Sequence, residues 1–221
     1  MRYLILLAQM QFWMELIYSL IIVISCSVIY IKTKELYELT SHKGIKYFRN
    51  AFLFFGIAYL SRMILRLFII IDGPEPINIF LFNLGYFIFL YAGLMAGFYL
   101  IYSSVWKKFN DPEKLGWFFH PIALTITAIF IIFLFGPLTL LILAIIFLTA
   151  AILAYKRKKS LKRDSFNKVH IIYMLLFISL ILNAIAHFII IISLYASILL
   201  YLISSVLFLV ILYRVTKSMK R

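Results

Sequence analysis

Cysteine is nearly missing from this chain: Cys26 is the only one in 221 residues, so no intrachain disulfide can form. Acid is scarce as well. Eight Asp and Glu stand against 22 Lys and Arg, which leaves a formal net charge of +14. Charged residues of both signs make up only 14% of the chain, whereas 65% is hydrophobic and the mean hydropathy is +1.06. Soluble domains are nearer half apolar, so this composition belongs to a membrane protein rather than to a large-cored globule.

Other absences exclude functions. No nucleophile stands beside an acid–base pair, and the four histidines do not cluster at metal-ligand spacing. His42, His120 and His170 fall near one set of run ends and His187 near the other, which makes a zinc hydrolase a poor reading. His120 and His170 would have to face each other across the bundle to hold a haem, and interfacial histidines without metal are the commoner case. The expectation is therefore no catalytic residue, no cofactor, no metal and no enzyme. The start, MRYLILLAQMQFW, lacks an A-x-A-like cleavage site and reads as the lead-in to a first span.

What is present is long apolar runs. A run of about 20 residues crosses a bilayer core of about 30 Å. Seven such runs are predicted, at about 11–31, 48–71, 77–105, 116–135, 137–155, 169–193 and 196–213. Gly136 and Pro137 alone divide the fourth from the fifth. The fold expected is all-α: one polytopic seven-helix transmembrane domain over residues 1–221, without a soluble domain.

The basic residues choose the direction. Lys32, Lys34, Lys43, Lys46 and Arg49 lie in or beside the first connection, and Lys107, Lys108 and Lys114 in the third. KRKKSLKRDSFNK (156–168) carries seven Lys and Arg, and the tail RVTKSMKR carries four. The alternate connections DGPEPIN, GP and SLYAS carry none. The positive-inside rule puts the N-terminus outside and the C-terminus in the cytoplasm of a multi-pass protein of the cell membrane. Trp13, Trp106 and Trp117 stand near run ends, where interfacial aromatics belong. In the first basic connection, TKELYELTSHKG (33–44) is expected to form a short interfacial helix stopped at Gly44. Asp111 before Pro112 marks the start of the fourth helix. KRKKSLKR has no interleaved aromatics and is pinned against the membrane, so its expected partner is anionic headgroups or an acidic protein, not nucleic acid.

The second run contains AYLSRMILRLFIII (58–71), with two arginines at lipid depth. At 1.5 Å per residue, Arg62 lies about 19 Å and Arg66 about 25 Å above Arg49. Their spacing of four places both on one helix face. Glu15 comes out about 25 Å above Lys32, and Asn183 and His187 about 22 and 28 Å above Lys168. Tyr91 falls at a comparable level. An uncompensated charge in hydrocarbon costs at least a few kcal/mol, so Glu15 is expected to pair with Arg62 or Arg66. Asn183 and His187 are expected to face the same space. Two readings stay open: a polar clasp that sets helix register, or an outer-half pocket whose positive excess suits a small anionic ligand. GLMAG (93–97) is a small-xxx-small motif, and Gly85 is expected to continue the face of Gly93 and Gly97 for helix packing.

Seven spans with an outer N-terminus is also the topology of rhodopsin-like proteins, but the seventh run contains no lysine for retinal. A 3+1+3 transporter of the SWEET sort shares the alternation of basic and short loops, and LRLFIII (65–71) echoes IAHFIII (185–191). The proline motifs of that family are absent, so no family is assigned. The function expected is a sensor or receptor-like module that binds a small anion and signals through its basic face to a cytoplasmic or membrane partner protein. The alternatives are a small-solute or ion transporter and a structural membrane subunit.

Overall fold

The computed structural model describes residues 2–72, 79–106, 112–133, 136–160, 169–189 and 193–219. These residues form seven α-helices and no strand. They are α1 (Arg2–Thr40), α2 (Lys43–Asp72), α3 (Ile79–Val105), α4 (Pro112–Phe133), α5 (Gly136–Ser160), α6 (Val169–Ile189) and α7 (Leu194–Met219). Four stretches within them, Phe12–Thr40, Lys43–Phe68, Phe80–Val105 and Leu194–Lys217, are long and apolar enough to cross a membrane. The described apolar stretches of the other three are shorter, at Gly116–Ile132, Ile142–Lys156 and His170–Ala186.

Six helices pack in chain order as a ring: α1 on α2, α2 on α3, α3 on α5, α5 on α6, α6 on α7, and α7 back on α1. The fourth stands outside the ring and packs mainly on α3. Short connections bring the C-terminus of α1, the N-terminus of α2, the C-terminus of α3 and the N-terminus of α4 to one end of the bundle.

The layering differs from a soluble helix bundle: the outer faces are apolar, and the mainly apolar interior also holds polar residues. Along α1 the inward residues are Glu15, Tyr18, Ser19, Ile22, Ser25, Cys26, Ile29 and Thr33, half of them polar. The outward residues Trp13, Ile17, Leu20, Ile24 and Ile31 are apolar and exposed. On α7, Ser197, Tyr201, Ser204 and Ser205 point inward while Leu199, Leu202, Val206 and Leu209 point outward. In water such faces would aggregate, whereas in lipid the polar groups must find partners inside the bundle. They do so by hydroxyl-to-carbonyl ties between helices. Ser61 Oγ donates to Gly85 O at 2.7 Å, Ser197 Oγ to Ala186 O at 3.0 Å and Ser204 Oγ to Ser179 O at 3.2 Å.

Two local expectations are corrected. Residues 33–40 are not a separate interfacial helix; they continue α1 to Thr40, and the chain reverses at Ser41, whose φ is 50°. Gly44 is no helix stop. It is the second residue of α2, where the Trp106 indole packs so closely that an added Cβ would lie 2.6 Å from Nε1. Close approach, not a left-handed turn, is what this glycine supplies.

The glycines of α3 also divide. Gly93 and Gly97 face α5, against Leu143 and against Ile146 and Phe147. Gly85 faces α2 instead, against Leu65. Each four-residue step rotates a helical position by about 40°, so three steps carry Gly85 off the face that Gly97 presents. Pro112 opens α4 as its first residue, whereas Asp111 lies outside the described residues. The 134–135 junction, the loop 73–78 with Glu75, and the basic stretch 161–168 lie outside them as well.

Candidate functional site

The inward face of α1 brings Glu15 to the inward face of α2, where Arg62 and Arg66 sit one turn apart. Arg66 Nε lies 2.6 Å from Glu15 Oε2, and Arg62 Nη2 lies 3.9 Å from Oε1. The carboxylate side chain is 2% exposed, Arg62 14% and Arg66 31%. Charge compensation within the bundle explains how two guanidiniums stay at this depth.

Around this pair the α6 and α7 faces supply neutral partners. Arg62 Nη1 donates to Asn183 Oδ1 at 3.1 Å, and its Nη2 lies 3.4 Å from Tyr201 Oη. Tyr201 in turn donates its hydroxyl to Glu15 Oε1 at 2.9 Å. Asn183 Nδ2 donates to Tyr59 Oη at 3.0 Å, and Tyr59 meets Tyr18 Oη at 3.3 Å. Tyr18 also reaches Ser204 Oγ at 3.1 Å. Four helices, α1, α2, α6 and α7, are thus joined by one buried polar network. Arg62 is held by three side chains through its two terminal nitrogens, and its guanidinium carbon also lies 6.0 Å from the Tyr59 ring centre.

Arg66 differs. Among the described residues Glu15 is its only polar partner, met through Nε, which leaves the terminal nitrogens uncommitted there. The site therefore combines a closed clasp at Arg62 with a partly exposed cation one turn further along α2. Among the described residues two guanidiniums meet one carboxylate here, which leaves one positive charge in excess.

The sequence-derived residues are not all at this site. Glu15, Arg62, Arg66 and Asn183 come together. His187 lies in α6 one turn beyond Asn183, but its side chain is outside the described residues. Tyr91 is elsewhere, and that placement is corrected. Its hydroxyl bonds to Nδ1 of His120 on α4, with Phe54 and Phe87 packed on its ring. Gly85 is the α3 residue level with Ser61 and Leu65, so Tyr91 lies below the arginines, level with Phe54, and its side chain turns to α4. His170 lies against Tyr155, their ring centres 6.3 Å apart.

Tyr18, Tyr59, Tyr201 and Ser204 are network members that sequence reasoning missed. Their signal was spacing: Tyr18 follows Glu15 by three, Tyr59 precedes Arg62 by three, and Tyr201 precedes Ser204 by three, each pair sharing a helix face. Among the described residues no three of His, Cys, Asp and Glu come close enough to hold a metal ion. Within the described residues the arrangement holds charge by ion pairs and by hydrogen bonds to neutral side chains.

No protein-family model matches the chain, and no solved structure does. A protein of Archaeoglobus fulgidus, described only as uncharacterized, is 33% identical to it over 102 residues. The match covers 42% of this chain and 43% of the relative, so the chain spans less than half of that protein's length.

Proposed function

We propose that this chain is a seven-span protein of the cell membrane, N-terminus outside and C-terminus in the cytoplasm. In this reading it is a sensor or receptor-like module: a small anion binds at Arg66 in the outer half, and the basic cytoplasmic face relays to a partner protein. The observation that carries the reading is the asymmetry of the two arginines. Arg62 is held by Glu15, Asn183 and Tyr201, while Arg66 has only Glu15 among the described residues and is 31% exposed. A carboxylate or other small oxyanion suits the free edge of a guanidinium.

An open channel would need a water path through the rest of the bundle. Phe55, Phe147 and Phe208 fill the interior one turn below Tyr59 and Ser204, toward the α1–α2 connection. Phe55 lies 5.7 Å from Phe147 and 5.5 Å from Phe208 between ring centres. That plug favours the sensor over an open channel.

Thermal unfolding of the purified chain against a panel of small anions tests the proposal. A bound anion at 100 times its Kd stabilises by about 2.7 kcal/mol. The expected result is an upward shift in the native chain that Arg66→Gln abolishes. If no anion shifts the native chain, the network is a structural clasp and the sensing proposal falls.

A further inference from the structure

Arg49 sits at the other end of the α1–α2 contact from Arg62 and Arg66, in the second turn of α2. It lies against two rings of α1. Its guanidinium carbon is 5.4 Å from the ring centre of Tyr30 and 5.4 Å from that of Tyr37. Seven residues separate the two tyrosines, which places both on one helix face. Among the described residues no hydrogen bond or ion pair engages any nitrogen of Arg49. We propose that Arg49 is a binding site for the phosphate ester of a membrane lipid headgroup, with the lipid chain laid along α2.

The state of the guanidinium donors carries the proposal. Nε is buried without a hydrogen-bond partner, whereas the terminal nitrogens, also without one among the described residues, keep access to the surroundings. The ring contacts steady the cation but supply no oxygen to its donors. The Tyr30 and Tyr37 hydroxyls have no described partner either, and they add two donors on the same surface. Glu35 and Glu38, the described carboxylates of this end of α1, are exposed. Lys32 meets the first at 3.2 Å and Lys34 the second at 3.9 Å. What Arg49 lacks here is a pair of anionic oxygens, and a phosphate offers them to the planar fork of a guanidinium.

Position then separates a lipid from a soluble phosphate. Arg49 follows the start of α2 by six residues, so it stands near headgroup depth if α2 spans a membrane as proposed. Leu53, Leu60 and Leu67 follow it on the same face of α2, and all three are exposed. At 1.5 Å per residue Leu60 lies about 16 Å along the helix from Arg49, close to the half-thickness of a hydrocarbon core of about 30 Å. A lipid chain would lie on these leucines while its phosphate meets Arg49. A free phosphate would use the guanidinium alone.

The experiment titrates full-length purified protein in a maltoside detergent with dihexanoyl phosphatidylglycerol, dihexanoylglycerol and glycerol 3-phosphate, following the unfolding midpoint. Saturable stabilisation by the phospholipid is expected, with none from the uncharged diacylglycerol. Arg49→Gln should weaken the phospholipid affinity about tenfold, the scale of one lost hydrogen-bonded charge contact. Lys43→Gln removes an equal charge from an exposed side chain at the start of α2 and should leave the affinity unchanged. Equal weakening by Lys43→Gln and Arg49→Gln would overturn the proposal in favour of general adsorption to the basic end of the bundle. An unchanged affinity in Arg49→Gln, or no stabilisation of the native chain, would overturn it too. Glycerol 3-phosphate binding as tightly as the phospholipid would overturn the lipid source. Should Arg49→Gln fail to fold, Arg49→Lys keeps the charge and loses the fork, and an affinity equal to the native chain's would then refute the site.

Discussion

Glu15 Oε2 lies 2.6 Å from Arg66 Nε, whereas its other oxygen is 3.9 Å from Arg62 Nη2 and accepts a hydrogen bond from Tyr201. One carboxylate thus serves two cations that are a helical turn apart, and it serves them unequally. The closer cation is the more exposed one. The more distant cation is the one that Asn183 and Tyr201 also hold.

Removing the carboxylate should therefore cost more than removing either arginine. Glu15→Gln leaves two guanidiniums without a counter-charge, and breaking a buried pair in this way costs about 3 kcal/mol or more. Arg66→Gln should cost much less, because its side chain already reaches the surface. Unfolding midpoints of Glu15→Gln, Arg62→Gln and Arg66→Gln in one detergent check this. Equal midpoints for Glu15→Gln and Arg66→Gln would contradict it.

Tyr201→Phe removes the hydroxyl between Glu15 and Arg62 while keeping the ring. A hydrogen bond to a charged group is worth about 1.5–3 kcal/mol, so a loss within that range is expected. Tyr155→Phe, on an exposed ring, is the matched control and should be neutral.

Gly93 and Gly97 should respond oppositely to alanine. A methyl at Gly97 overlaps Cγ2 of Ile146, a β-branched side chain with little rotamer freedom, so Gly97→Ala is expected to destabilise by about 1–3 kcal/mol. At Gly93 the nearest atom to an added Cβ is Leu143 Cδ2 at 3.4 Å, an ordinary contact. Gly93→Ala then gains up to about 1 kcal/mol of helix propensity. Comparison of the two unfolding midpoints decides the matter.

Sidedness is testable because Cys26 is the chain's single cysteine and is buried. In a Cys26→Ala background, Tyr195→Cys at the start of α7 should react with a membrane-impermeant maleimide on intact cells. Glu38→Cys at the end of α1 should react only after permeabilisation. The reverse pattern would invert the proposed orientation.

Much of the polar site was legible from counting. A rise of about 1.5 Å per residue put Glu15, Arg62 and Asn183 at one level, and lipid left the two opposite charges few other partners. Direction around each helix was harder to read. Counting put Tyr91 at that level, yet α3 meets α2 in a register that sets Gly85 beside Ser61 and Tyr91 beside Phe54, and nothing in an all-apolar run marks that register or which side meets α4. The tyrosines were hidden for another reason. With 15 of them in the chain, the residue type alone does not separate a lipid-facing ring from Tyr201 at the centre of the bundle. Gly44 misled because glycine serves both helix ends and close contacts, and only the position of Trp106 tells them apart.

Two arginines on successive turns, both met by one carboxylate, also pin α1 against α2 at two heights at once. One helical turn is about 5.4 Å, so sliding α1 along α2 by that much in either direction would leave Glu15 one guanidinium and draw its other oxygen off Tyr201. The contact therefore resists sliding in both directions.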